Sequence, residues 1–173
     1  MARLGEWKRS VRQLLVVAAV LVVFALAAGW LFARGDAPSA ARLLLGEQVV
    51  EEPLAEDGPG PDPQLPTSGP DRGEVVCGVV DDELAPQTQV SSLAAGVVII
   101  QHDPQLPATT RDELGGLVER RESVLVAPRE GLDTEVVATA WRHRFEPDDA
   151  SLTELDRFVV GYSGRGPDPA RSP

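Results

Sequence analysis

Few residues of this 173-residue chain are equipped for chemistry: two histidines, His102 and His143, and one cysteine, Cys77. A zinc ion asks for three or four converging ligands, so the two histidines would need added carboxylates or Cys77, and no pair stands at ligand spacing. No metal site and no cofactor is expected. His102 closes the apolar run GVVIIQH, His143 lies between Arg142 and Arg144, and both read as structural or surface residues. Ser91 and Ser92 precede a Leu-Ala-Ala-Gly turn but lack the G-x-S-x-G elbow that exposes a nucleophilic serine. Asp81, Asp82 and Glu83 are consecutive, without the alternating oxygen ligands of a calcium loop, and read as a solvated turn. Cys77 sits among Val75, Val76, Val79 and Val80. It reads as a small buried hydrophobe and, being alone, forms no internal disulfide. No catalytic, cofactor-binding or metal-binding residue is assigned.

The elements that must position these side chains fall between residues 67 and 163, the segment able to build a core. Residues 75–80 predict a short strand and residues 86–95 a turn of helix. Residues 96–102, GVVIIQH, hold four consecutive β-branched residues and predict a strand buried on both faces. Thr110 with Glu113 forms a capping box that opens a helix carrying Leu114, Leu117 and Val118 on one face. Residues 123–127, SVLVA, predict a second buried strand, and the strand-helix-strand unit implies a parallel crossover. Residues 134–142 predict a further strand whose Trp141 buries its ring and finds a carbonyl for its N–H. Ser151 and Glu154 make a second capping box before a helix with Leu152, Leu155, Phe158 and Val159 on one face. The expected fold is α+β, a small two-layer α/β sandwich with a mixed sheet.

Ahead of this domain the composition changes. Between Arg12 and Arg34 lie 21 uncharged residues, QLLVVAAVLVVFALAAGWLFA, enough helix to cross roughly 30 Å of hydrocarbon. A signal peptide has a shorter apolar core, about 7–15 residues, so residues 13–33 predict one transmembrane helix in the lipid bilayer. Arg3, Lys8, Arg9 and Arg12 precede it, whereas only Arg34 and Arg42 follow closely. That bias puts residues 1–12 in the cytoplasm and the C-terminal domain outside, in a single-pass plasma-membrane topology. Trp7 and Trp30 fall near the ends of the span, where indole rings favour headgroups. Ala18, Ala19, Ala25, Ala27, Ala28 and Gly29 are small enough to let a membrane-protein partner approach, although no G-x-x-x-G is present. Residues 34–66, with the run GPGPDPQLP, predict a Pro/Gly-rich linker holding at most a short edge strand at Val49 and Val50. Residues 164–173 predict a disordered tail.

The charge is divided in the same way. Residues 1–33 carry four cations against Glu6, a net of +3, so the remainder holds −14 of the total −11. A domain this acidic repels phosphates, and no nucleic-acid partner is expected. One lysine against fifteen arginines, with abundant Ala, Val, Gly and Pro, points by association to a high-GC bacterium and its cell envelope.

Six short motifs occur in a fixed order: Leu65-Pro66-Thr67-Ser68-Gly69-Pro70-Asp71, Cys77-Gly78-Val79-Val80, Val90-Ser91-Ser92-Leu93-Ala94-Ala95-Gly96 running into Val97-Val98-Ile99-Ile100, Leu125-Val126-Ala127-Pro128, Thr139-Ala140-Trp141, and Phe158-Val159. Over residues 65–163 this order resembles the bacterial family of domain of unknown function 3105, commonly a membrane helix followed by an extracytoplasmic domain. The family pattern reads P-P-T-S-G-P-H, then G-V-Y, then H-S-L-E-H-G before a V-V-I strand. The resemblance implies three histidines and a glutamate where this chain has Asp71, Ser91, Ala95 and Ala94. In family members that set suggests a metal site, which the two alanines here do not supply.

The expected function is therefore non-catalytic: binding or scaffolding by a membrane-anchored extracytoplasmic domain that has kept the fold's apolar and glycine positions. The competing expectation is an envelope metal-binding protein or enzyme built on another constellation, Asp71 with Ser91 and His102.

Overall fold

The computed structural model describes residues 37–58 and 62–171. The predicted membrane span, residues 13–33, lies outside them, and among the described residues no helix is long and apolar enough to cross a membrane. A boundary between two compact units falls between Ala37 and Pro38, and the fold below is that of the second.

Its centre is β3 (Val98–His102) and β4 (Val124–Pro128), paired in parallel with Ile99 beside Leu125 and His102 beside Pro128. All five residues of β3 are buried, as continuous Val and Ile require of a strand covered on both faces. β5 (Val136–Ala140) runs antiparallel to β3, and β6 (His143–Phe145) antiparallel to β5. β1 (Val49–Glu51) closes one edge against β6, and the two-residue β2 (Gly78–Val79) closes the other in parallel with β4. The mixed six-stranded sheet has the order β1-β6-β5-β3-β4-β2.

Four helices cover it: α1 (Ala37–Leu45), α2 (Pro86–Ala94), α3 (Ala108–Arg120) and α4 (Leu152–Tyr162). Strand alternation sends Val98, Ile100, Val124, Val126 and Phe145 to one face, where Leu45, Leu114, Leu117, Leu155 and Phe158 meet them. Ile99, Leu125 and Ala127 go to the other face and pack on Leu93, Leu84 and the half-buried Val75, Val76 and Cys77. The sheet is thus covered on both sides, not on one as the two-layer expectation had it. The reason lies in β3 and β4 themselves, which have no polar face to leave in water.

Four local expectations also change. Residues 37–45, read as linker, supply α1, whose Ala41 and Leu45, four apart, bury against the core, while the short edge strand expected at Val49 and Val50 is β1, with Val49 paired to Phe145. α3 begins at Ala108 after Pro107, not at Thr110, and makes no side-chain cap; proline at the boundary fixes the entry without one. Ser151 does sit at the N-terminus of α4, but its carbonyl, not its hydroxyl, takes the amides of Glu154 and Leu155. Trp141 lies in the turn joining β5 to β6 and is half-buried. Its neighbour Arg142 adopts φ 62°, a conformation costly for a side-chain-bearing residue. It is held there by its amide bond to Thr67 O (2.8 Å) and by Nε to Glu52 O (3.2 Å).

Candidate functional site

Two places could hold function. The first is where the resemblance puts polar residues. Ser91 belongs to the last turn of α2, and Ala94 and Ala95 lie at its end. All three are fully or almost fully buried. Ser91 Oγ accepts the Gly73 amide at 2.7 Å, Ser92 Oγ accepts that of Val76 at 3.0 Å, and Gln87 Nε2 donates to Pro70 O at 2.7 Å. These bonds tie the strap of residues 70–76, with Asp71, onto α2. The strap approaches so closely that a Cβ on Gly73 would lie 2.8 Å from Ser91 Oγ.

Over Ala94 to Gly96 runs the C-terminal segment, predicted as a disordered tail. It is held in place: Gly164 N donates to Gly96 O (2.7 Å), and Asp168 N to Ala94 O (2.9 Å). Gly96 has φ 90°, and a Cβ there would come within 2.8 Å of Gly164 Cα. That explains its glycine physically, through both backbone and space. This end of the domain is packed and tied together mainly by bonds to the backbone.

The P-T-S-G motif is likewise structural. Thr67 Oγ1 donates to Glu52 Oε2 (2.7 Å), Ser68 Oγ donates to Pro53 O (3.3 Å) and accepts from Ala55 N (3.0 Å), and Thr67 O takes the Arg142 amide beside Thr139-Ala140-Trp141. Nearby, Arg144 reaches Glu52 (3.1 Å), Asp62 (3.1 Å) and the Leu65 carbonyl (3.2 Å). Burial pushes the Asp62 carboxyl up, but the amides of Gln64 and Leu65 and the Arg144 guanidinium outweigh it, leaving it below its ordinary 3.8.

The second place is the opposite end of the central strands. β2, β3 and β4 all point their carboxyl ends the same way, and in open sheets with parallel strands ligands bind outside those ends. Val79, His102, Val126 and Pro128 line a cleft of about 340 Å³ there, roofed by Arg111 and Asp112 of α3. His102 is 7% exposed. Its Nδ1 lies 2.9 Å from Asp103 O. A carbonyl only accepts, so Nδ1 is the donor, and in the neutral ring Nε2 is the acceptor. Nε2 meets no hydrogen-bond partner among the described residues and is left to the cleft.

The constellation of Asp71, Ser91 and His102 is not assembled. Ser91 and the Asp71 strap lie with α2 on the Ile99 face, at the start of β3, whereas His102 is at its end on the Ile100 face. His143 is farther off still, its Nδ1 on Trp141 O (2.8 Å) and its ring against Tyr162. Among the described residues no group of three or more His, Cys, Asp or Glu is placed to hold a metal ion. Asp81 and Asp82 rim the cleft and an adjoining hollow, and Glu83 pairs with Arg129 at 3.5 Å. Cys77 is half-buried against the Leu93 cluster, consistent with a packing role. Sequence reasoning missed Arg111 and Asp112 as neighbours of His102. The available signal was the parallel crossover itself, which directs attention to the residues just past each strand.

The fold and the cleft define a class: an α+β domain with a mixed six-stranded sheet and a polar cleft at its parallel strand ends. The family model described as Protein of unknown function (DUF3105) matches residues 62–173, and the chain belongs to that family. No curated protein and no solved structure matches it.

Proposed function

We propose that this chain is a membrane-anchored extracytoplasmic domain that acts by binding, not by catalysis, in a bacterial cell envelope. The anchor rests on the 21 uncharged residues between Arg12 and Arg34 and on the basic flank before them. The absence of catalysis rests on one observation: the positions where the resemblance implies histidines and a glutamate are here Asp71, Ser91, Ala94 and Ala95. The serine spends its hydroxyl on a backbone amide, and the alanines carry the C-terminal segment. What remains open is the His102 cleft, a binding surface without an assembled nucleophile and base.

The test is fractionation with metal analysis. After alkaline extraction the full-length chain should stay with the membranes, and protease added outside spheroplasts should digest its domain. The purified chain should carry no stoichiometric ion. Recovery in the soluble fraction would remove the anchor; one bound ion per chain would remove the reading of a lost site.

A further inference from the structure

We infer that the His102 cleft binds the ammonium or guanidinium group of a cationic ligand, with the imidazole Nε2 as the buried acceptor and the surrounding carboxylates as counter-charge. This deepens, and rests on, the binding function proposed above.

Three adjoining hollows make one trough. The cleft of about 340 Å³ shares Asp81, Pro104 and Pro128 with a neighbour of about 480 Å³, and that in turn shares Pro104 and Glu130 with a third of about 310 Å³. Six carboxylates border the trough: Asp81, Asp82, Glu83, Asp103, Asp112 and Glu130. Arg111 is the cation in its lining, and Arg129 is drawn to Glu83. Walls lined by one sign of charge raise the local concentration of the opposite sign.

Carboxylates alone would describe a solvated rim. His102 makes the difference, because it lines the cleft while more than nine-tenths buried, its Nδ1–H is committed to Asp103 O, and its Nε2, an acceptor in the neutral ring, has no partner among the described residues. A lone pair in a half-dry recess calls for a donor. An anion would meet the carboxylates. A divalent metal needs three converging ligands, and these are not placed together among the described residues. An ammonium or guanidinium group brings several donors and positive charge on a methylene stem, and Val79, Val126 and Pro128 give that stem an apolar wall. Such a group has two sources, a free polyamine or a lysine or arginine side chain on a partner's exposed segment.

The experiment uses the full-length chain, ¹⁵N-labelled, in neutral detergent, and follows the His102 ring nitrogens by NMR. The probes are spermidine, tri-lysine peptide, zinc chloride and inorganic phosphate. A saturable shift of Nε2 with spermidine or tri-lysine is expected. It should weaken on the order of tenfold in the Asp81→Asn/Asp112→Asn double variant, as loss of charged rim contacts implies, and vanish in His102→Phe. Spermidine alone would identify a small amine; tri-lysine alone, a basic segment of a partner. Should His102→Phe fail to fold, the double variant still decides. A shift with zinc or phosphate but neither amine would overturn the inference. So would a shift that the double variant leaves unchanged, or no shift with any probe. The fractionation above is untouched by these outcomes, so the two readings fail separately.

Discussion

The two ends of strand β3 carry the same kind of residue in opposite circumstances. At its start, Ser91 and Ser92 are buried hydroxyls with every bond going to the backbone of the 70–76 strap, and Ala94 and Ala95 are sealed by the C-terminal segment. At its end, His102 is as deeply placed, yet one of its nitrogens is left to a cleft. Burial is common to both. What separates them is whether the polar atom has been given a partner, because a satisfied buried polar group stabilises the fold while an unsatisfied one is available to a ligand. The closed end should therefore respond to mutation in stability, and the open end in binding.

The largest effect is expected at Gly96. In Gly96→Ala the residue must keep φ 90° with a side chain, and its Cβ would press on Gly164 Cα. Left-handed strain and overpacking together should cost roughly 4 kcal/mol, read by chemical denaturation of the full-length chain. A loss under about 1 kcal/mol would mean that the C-terminal segment is not held as tightly as its bonds indicate.

Next comes Arg144, 17% exposed and paired with Glu52, itself 13% exposed. Arg144→Met leaves that carboxylate without its partner, and should cost about 3 kcal/mol. Part of this should return in the Glu52→Gln background, since the least exposed of its three carboxylate partners is then neutral, while Asp62 and Glu146 keep their charge.

Asp62 comes third. Its folded carboxyl is held below 3.8, so its contribution is present above that value and is lost as pH falls through the lower, folded one. Asp62→Asn should lower stability at pH 6 by about 1 kcal/mol and narrow its gap to the parent as acid is added. A gap that stays constant down to pH 2 would show that the Gln64 and Leu65 amides do not depend on the charge.

How much of this contrast was legible in the sequence can be traced residue by residue. β3, β4 and the parallel pairing of one with the other were readable, because the four-residue run Val97–Ile100 and the apolar SVLVA admit little else. α1 was not: APSAARLLL follows directly on the segment predicted to span the membrane and precedes a proline-rich stretch. Its two buried residues, Ala41 and Leu45, gain meaning only from β1 and the core that receives them. The C-terminal strap was unreadable for a similar reason, since GRGPDP has no apolar face and is tied down through the backbone amides of Gly164 and Asp168. At the site, the absence of the family's histidines at Ser91 and Ala95 and of its glutamate at Ala94 was visible, but not that these positions would be packed. His102 reads in the sequence as a structural residue at the end of its strand, because only three-dimensional contacts reveal which of its nitrogens is occupied.

The smallest change in stability should come from the open end, and it bears most directly on the comparison. Asp81 and Asp112 border the cleft, and no hydrogen bond or ion pair is found for either among the described residues. Neighbouring carboxylates repel, so Asp81→Asn/Asp112→Asn should leave stability within about 0.5 kcal/mol of the parent, with any change toward greater stability. Added salt should raise the parent toward the variant by screening the same repulsion. Were the double variant instead destabilised by about 2 kcal/mol, these carboxylates would be holding the fold as Ser91 does. The two ends of β3 would then be alike, and the cleft an artefact of loose packing. A neutral result, together with weaker spermidine or tri-lysine binding, is the signature of charges kept for something outside the chain.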